Sequence, residues 1–301
     1  MSGPVVSVIV PAYFSQETVA SCLRSVRRQT YRRFEVILVD SSPGGESAGI
    51  VRREFPEVTV RAHSSRLLPH QARNLGAELA KGRILTFSDP DCVACPRWLE
   101  LIVAAHENGH DAVGGAVDCP PGWWNRSVHM VKYSWWLPGG RPGVRPEIPS
   151  ANSSFSREMW ERAGPYRGEW FAGDSELSWR IRASGAGIWF VPDAVVTHHH
   201  PQSPGELIRD RFSRGKDYGE LRPRARGWSR LRCALQLLLL PVLPLLMTMR
   251  AASYALRSGY GGVWLLSLPV QVGANSAWCC GEAVSHWSRL WKALPGRSSP
   301  H

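Results

Sequence analysis

"ILTFSDPDCVACP", residues 84–96, opens with a short apolar run of the kind that forms a buried strand, and two carboxylates follow it at once. Asp89 and Asp91 are one residue apart, and Cys92 and Cys95 come directly after them. Three readings compete for this loop. It is a solvated turn, a metal site built on the acids, or a metal site completed by the thiols.

Outward from it, strand-like and helix-like segments alternate. Upstream, "PHQARNLGAELAKG" (69–82) reads as a helix ended by Gly82. Further upstream lie the strand "FEVILVD" (34–40), the weaker strand "VTVRAH" (58–63), and "VVSVIVPAY" (5–13), a β-branched run ended by Pro11. Between the first two strands, Val19, Leu23 and Val26 keep helical spacing across Ser15–Gln29, with Ser15 as the N-cap. Downstream come the helix "PRWLELIVAAHENG" (96–109) and the strand "DAVGGAV" (111–117). An irregular stretch rich in Pro, Gly and Trp covers 118–147, followed by "IPSANSSFS" (148–156), helices near 157–163 and 174–184, and the strand "GIWFVP" (187–192). Continuous apolar strands separated by helices predict an α/β fold with a mostly parallel sheet covered on both faces.

In such a sheet, ligands gather at the carboxyl ends of the strands. Asp40, Asp89 and Asp91 all stand there. A lone acid after a strand is usually a turn or cap residue, but two strands ending in acids weaken that reading. Carboxylates suit a hard divalent cation, Mg²⁺ or Mn²⁺, which can bridge a diphosphate. The thiols fit less well: a single C-x-x-C is half a zinc site, no second one exists, and buried packing explains them more simply.

"VSVIVPAY", "VILVDSS", "ARNLGAELAKGRILTFSDPDC" and "GDSELSWRIRASG" occur in the order and spacing of family 2 glycosyltransferases, and the chain resembles that family over about residues 5–200. The resemblance implies a GT-A (Rossmann-like) fold and an inverting sugar transfer from a nucleotide-sugar. It implies that Pro11, Ala12 and Tyr13 line the nucleotide site and that Asp40 approaches the base or ribose. Arg73 and Asn74 would sit near the nucleotide, with Arg73 helping with diphosphate charge. Asp89 would contact ribose or metal, Asp91 would be the principal metal ligand, and His198, from "THHHPQ", would complete the coordination. Phe14 stands where the family usually has Asn. The family's base comes from a Glu-Asp pair, which here reads Gly173-Asp174, so Asp174 is the expected base. Glu176 is expected to pair with Arg180 and is the fallback base.

Lys and Arg exceed Asp and Glu by 36 to 25, a formal charge of +11. From Arg226 onward eight basic residues face one acid, Glu282. A basic tail rich in Trp and Leu fits an anionic membrane surface, whereas no nucleic-acid reading motif is present. "CALQLLLLPVLPLLMTM" is interrupted by Pro241 and Pro244, and the second apolar segment holds Gln271 and Asn275. Interfacial or re-entrant helices, true spans, and a helical subdomain packed on the core are the three readings, with Trp264, Trp278, Trp287 and Trp291 near the headgroups in the first. The "GWWNRSVHMVKYSWWLPGG" stretch reads equally as a sugar-stacking wall, a membrane-facing loop or core.

The expected organisation is a catalytic domain over 1–203, with a nucleotide-sugar half to about 117 and an acceptor half after it. A basic linker over 204–232 and a membrane-associated helical tail over 233–301 follow. No signal peptide is apparent and seven cysteines show no secreted disulfide framework, which points to the cytoplasmic face of a membrane. The acceptor is expected to be a glycan or lipid-linked glycan. A catalytically silent sugar-nucleotide-binding scaffold is the alternative, motivated by Phe14 and Gly173. A dinucleotide-binding oxidoreductase ranks far behind, because "VPAYFS" holds no glycine fingerprint.

Overall fold

The computed structural model describes residues 3–167, 172–199 and 203–291. His200 of the histidine run and the tail beyond 291, with Lys292 and Arg297, lie outside them. The chain divides into two compact units, one over 1–120, 136–169 and 173–199, the other over 121–135, 170–172 and 200–301.

The first unit is built on one sheet. Its first half follows from the apolar runs: β1 (Val6–Ala12), β2 (Phe34–Asp40), β3 (Thr59–Ala62) and β4 (Ile84–Ser88) pair in parallel in the order β3-β2-β1-β4. Helices α1 (Val19–Arg27), α2 (Glu46–Glu54) and α3 (Pro69–Leu79) make the crossovers. The second half is mixed. Here β5 (Cys92–Ala94), α4 (Trp98–Glu107), β6 (Ala112–Asp118), β7 (Gly143–Arg145), β8 (Asn152–Ser156), α6 (Arg157–Ala163), α7 (Gly173–Ala183) and β9 (Ile188–His198) follow in chain order, with α5 (Trp123–Tyr133) belonging to the other unit. β8 runs antiparallel between β4 and β6, β6 and β9 are parallel, and β5 and β7 pair antiparallel with β9. Ile9, Leu85, Phe87, Phe155, Met159, Trp160, Leu177 and Ile181 form the main core, and each fully buried Phe or Ile contributes about 1.5–3 kcal/mol.

Four local expectations change. Helix α1 begins at Val19 with Thr18 as N-cap, while Ser15 instead exchanges hydrogen bonds with the Tyr13 backbone. Helix α3 stops at Leu79 because Ala80 is extended. Gly82 is needed elsewhere: a Cβ there would meet the Ser7 backbone nitrogen at 2.7 Å, and Gly82 N–H donates to Ser7 Oγ. The stretch read as irregular contains α5 and β7. The supposed linker holds α8 (Pro204–Ala225), a 22-residue helix whose Ser203 and Glu206 form a capping box.

One buried side chain holds the mixed half together. The β6–β9 register shifts between Gly115 and Ala116, which leaves carbonyls without ladder partners. Asn152 Nδ2 donates to both Ala116 O and Ala194 O at 2.8 Å, and Asn152 Oδ1 accepts from Trp98 Nε1 at 2.8 Å. Gly115 faces this amide and the Ala194 carbonyl so closely that no Cβ fits. Asn152 opens an N-S-S triplet, yet its complete burial removes it as a glycan acceptor. Asn152→Ala leaves three buried polar groups unpaired and is expected to cost on the order of 3 kcal/mol. Differential scanning calorimetry should show the melting midpoint falling by roughly 6–12 °C.

The second unit contains α5, α8, α9 (Arg230–Leu238), α10 (Leu243–Arg257), α11 (Gly261–Leu266) and α12 (Leu268–Trp291). α8 and α12 approach backbone to backbone: Gly215 lies against the Trp278 carbonyl, Gly219 against Glu282 Cα, and Gly281 against the Phe212 carbonyl. Arg222 pairs with Glu282 at 3.0 Å, and Arg211 lies 4.2 Å over the Trp278 ring. Part of the basic charge is therefore internal, and Trp278 packs against Arg211 and Tyr218 rather than marking a headgroup boundary. Trp287 is exposed and stacks with Trp291. Among the described residues no single helix is long and apolar enough to cross a membrane; α9 and α10 pass that test only together, bent by 85°.

Candidate active site

The carboxyl ends of β1, β2 and β4 come together with α3 and the last residues of β9. β4 delivers Asp89, and the turn after it closes with Cys92 N–H donating to Asp89 O at 3.1 Å. β5 then pairs with β9 so that Cys92 stands opposite His198, and His199 N–H donates to Asp91 O at 3.1 Å. The short strand β5, which periodicity cannot reveal, is thus what brings the histidine to the acids. His198 Nε2 lies 3.6 Å from Asp89 Oδ2 and 3.7 Å from Asp91 Oδ1.

The two acids differ in charge balance. Burial disfavours ionising Asp89, but the Arg73 guanidinium bound to it and His198 outweigh burial and hold its carboxyl well below the usual range. Asp91 has no such cation of its own. Burial, added to by the Asp89 charge, pushes its carboxyl up, opposed mainly by His198. Its buried Oδ1 has no hydrogen-bond partner. A buried carboxylate oxygen left without a donor, beside a second acid and an imidazole nitrogen, fits a divalent cation. Oxygen donors with one imidazole suit Mg²⁺ or Mn²⁺, so the donor chemistry agrees with the expected ion. Cys92 Sγ is within 4.8 Å of Asp91 and His198, but burial and both neighbouring acids raise its thiol well above its ordinary value. Cys95 is half-buried with its Sγ directed to Asp193 O, so the two thiols do not form a working pair.

The remaining expected residues fall in three places. Pro11 and Ala12 are the last residues of β1 and are buried, whereas Tyr13 and Phe14 emerge from its end. Phe14 adopts a left-handed φ of 48°, held by its N–H donating to Ser42 Oγ, and stands 52 % exposed beside Tyr13. Arg66 covers the Tyr13 ring at 4.6 Å, a contact that no spacing rule announces. Asp40 is fully buried: Oδ1 accepts from Ser42 N and Oγ, and Oδ2 accepts from Ala48 N at 2.7 Å. Its observed contacts fix the loop after β2 and the start of α2 rather than facing open space.

Arg73 is buried and committed to Asp89, and does not point at open space as a diphosphate ligand would. Asn74 clamps the Tyr166 backbone, donating to its carbonyl at 2.7 Å and accepting from its N–H at 3.0 Å. Both therefore serve the walls of the site. Asp174 is the second residue of α7, half-buried in its first turn, where a negative charge is favoured. Its charge acts on Arg73 and on Tyr166. Glu176, by contrast, is buried and held by Arg180 at 2.9 Å and Arg167 at 3.2 Å. Glu176 thus makes the pair with Arg180 expected of it, and Arg167 adds a second. Sequence reasoning also gave no role to Glu147, which accepts from Ser175 Oγ at 2.6 Å and Trp179 Nε1 at 3.0 Å and so steadies the start of α7.

Comparison with known proteins gives the family and the fold. The family model described as Glycosyl transferase family 2 matches residues 7–159, just over half of the chain. The glycosyltransferase AglE of Haloferax volcanii is 29% identical over 223 residues, 71% of this chain and 72% of that one. The glucosyl-dolichyl phosphate glucuronosyltransferase of the same organism is 30% identical over 175 residues, 54% of this chain and 55% of that one. Among solved structures, the mannosyltransferase PcManGT from Pyrobaculum calidifontis, in complex with GDP-Man and Mn²⁺, is similar with a TM-score of 0.64. It is 21% identical, covering 97% of this chain and 89% of its own, a likeness of fold. The strand-end acids, the GT-A sheet beneath them and the family match together make this chain a member of the family 2 glycosyltransferases.

Proposed function

We propose that the chain transfers a sugar from a nucleotide-sugar to an acceptor hydroxyl on a lipid-linked glycan at a membrane surface, with Mg²⁺ or Mn²⁺ held by Asp91, Asp89 and His198. The observation that carries the metal assignment is Asp91 Oδ1, buried without a hydrogen-bond partner beside Asp89 and His198. When bound, such a cation stabilises charge developing on the departing diphosphate. Arg73 keeps Asp89 ionised and fixed in place. Tyr13 and Phe14 line the nucleotide site at the end of β1, where both are exposed and Arg66 covers one face of the Tyr13 ring. Asp40 acts by holding the Ser41–Ser42 loop against them. Asp174 takes the proton from the acceptor hydroxyl as it attacks the anomeric carbon.

The membrane part of the proposal rests on the second unit. Leu231, Leu235 and Leu238 of α9, Leu245, Leu246, Met249 and Leu256 of α10, and Leu265 and Leu266 of α11 are all exposed. Isolated exposed leucines need no explanation, but three successive helices presenting them do. Arg230, Arg232, Arg250 and Arg257 lie on the same helices, as an anionic surface requires. The dolichyl-linked substrate in one relative's name supports a lipid-linked acceptor. Flotation of the full chain with liposomes rich in anionic lipid tests this. Wild type is expected to float, and Leu238→Glu/Leu256→Glu to stay at the bottom of the gradient. A wild-type enzyme that ignores liposomes and glycosylates only soluble acceptors would sink the membrane and lipid part.

A further inference from the structure

Gly173 begins α7 at the position where the resemblance expects an acid, and the structure shows what stands in the vacated space. A Cβ on Gly173 would meet His70 Cδ2 at 2.6 Å, Nε2 at 2.9 Å and Cγ at 3.1 Å. The obstacle is a buried ring held on one face and at one edge, so it cannot swing away cheaply. His70 is only 4% exposed and stacks on the Tyr166 ring with centroids 4.7 Å apart. Tyr166 is itself pinned through its backbone by Asn74. On its other edge, His70 Nδ1 lies 3.4 Å from Arg73 Nη1. A guanidinium only donates, so Nδ1 accepts there and the neutral ring carries its proton on Nε2, the edge turned to Gly173. Arg73 in turn binds Asp89.

We infer that His70 is a positioning residue: it fills the space left by Gly173 and joins the first turn of α7, which carries Asp174, to the Arg73–Asp89 pair. The base and the strand-end acids come from separate elements, α7 and β4, and the reaction needs them held at one distance. His70 lies against both sides. Gly173 is then required because any larger residue displaces the imidazole. The inference deepens the reading of Asp174 as base and rests on it.

A double-mutant cycle on the full-length enzyme tests it, with kcat, KM for the nucleotide-sugar and the melting midpoint measured for each variant. His70→Ala is expected to lower kcat about tenfold or more, with KM changed less than about twofold, since misplacement acts on the chemical step. Gly173→Ala is expected to do the same in the wild-type background and nothing further in His70→Ala, where the clash is gone. His70→Asn, which keeps an acceptor for Arg73, stands in for His70→Ala if the latter does not fold. Effects that multiply independently, an unchanged kcat in His70→Ala, or a loss that only tracks melting would overturn the inference. Asp174→Asn assayed alongside separates the two levels. Turnover surviving there removes the base assignment, whereas uncoupled His70 and Gly173 effects remove only this one.

Discussion

Asp91→Asn is expected to lower turnover by about a thousandfold while leaving the fold intact. The substitution keeps size and shape but removes the charge that lacks a cationic side chain of its own. A bound divalent ion supplies several kcal/mol of charge stabilisation, and each 1.36 kcal/mol is about tenfold in rate. Because burial already disfavours the charged form of Asp91, the neutral amide relieves the empty site, so the melting midpoint without metal should hold or rise. Wild type should gain stability on addition of Mn²⁺ and the variant should not, by the ordinary linkage of binding to folding. Steady-state kinetics and thermal melting with and without the ion check both halves. A variant stabilised by Mn²⁺ as strongly as wild type would move the metal away from Asp91.

Asp174→Asn is the second large effect. Loss of a positioned general base costs about 10²–10⁴-fold. The donor contacts proposed at Tyr13, Phe14 and the acid pair are untouched, so KM for the nucleotide-sugar should barely move while kcat collapses. Glu176→Gln provides the contrast. It breaks a buried carboxylate out of its clamp between Arg180 and Arg167, and should show as lost stability with kcat largely retained at low temperature. If instead Glu176→Gln abolishes chemistry and Asp174→Asn does not, the roles are reversed.

Much of this site was legible in the sequence because its strands are buried on both faces. β1, β2 and β4 read as continuous apolar runs, and the acids at their ends followed from position alone. Other elements hide for identifiable reasons. β8 is "NSSFS", whose buried hydroxyls bond laterally, Thr86 Oγ1 to Ser154 Oγ at 3.0 Å, so no apolar alternation marks it. β5 has three residues and exists only through β9. α8 looks like a linker because its buried positions, Leu207, Arg211, Gly215, Gly219, Leu221 and Pro223, mix two leucines with glycines, a proline and an arginine instead of forming an apolar stripe. Its Ser203-Glu206 capping box and the glycine spacing were the readable signals.

Three of the expected residues carry structural contacts that the motif does not announce. Asp40, Arg73 and Asn74 stand where a family pattern puts nucleotide-site residues, yet their side chains bond to Ser42 and Ala48, to Asp89, and to Tyr166. A motif locates a residue in the chain, but the direction of its side chain depends on tertiary partners. His70 shows the converse. It carried no motif, and only the space above Gly173 gives it a part.

The most direct test of the metal and nucleotide site is a thermal-shift panel of UDP-, GDP- and dTDP-sugars, with and without Mn²⁺, on wild type and Asp91→Ala. One nucleotide class is expected to raise the wild-type melting midpoint, only with the ion present, and to leave Asp91→Ala unmoved. Nucleotide-sugar binding that needs no ion and survives the substitution would contradict the assignment of Asp89, Asp91 and His198.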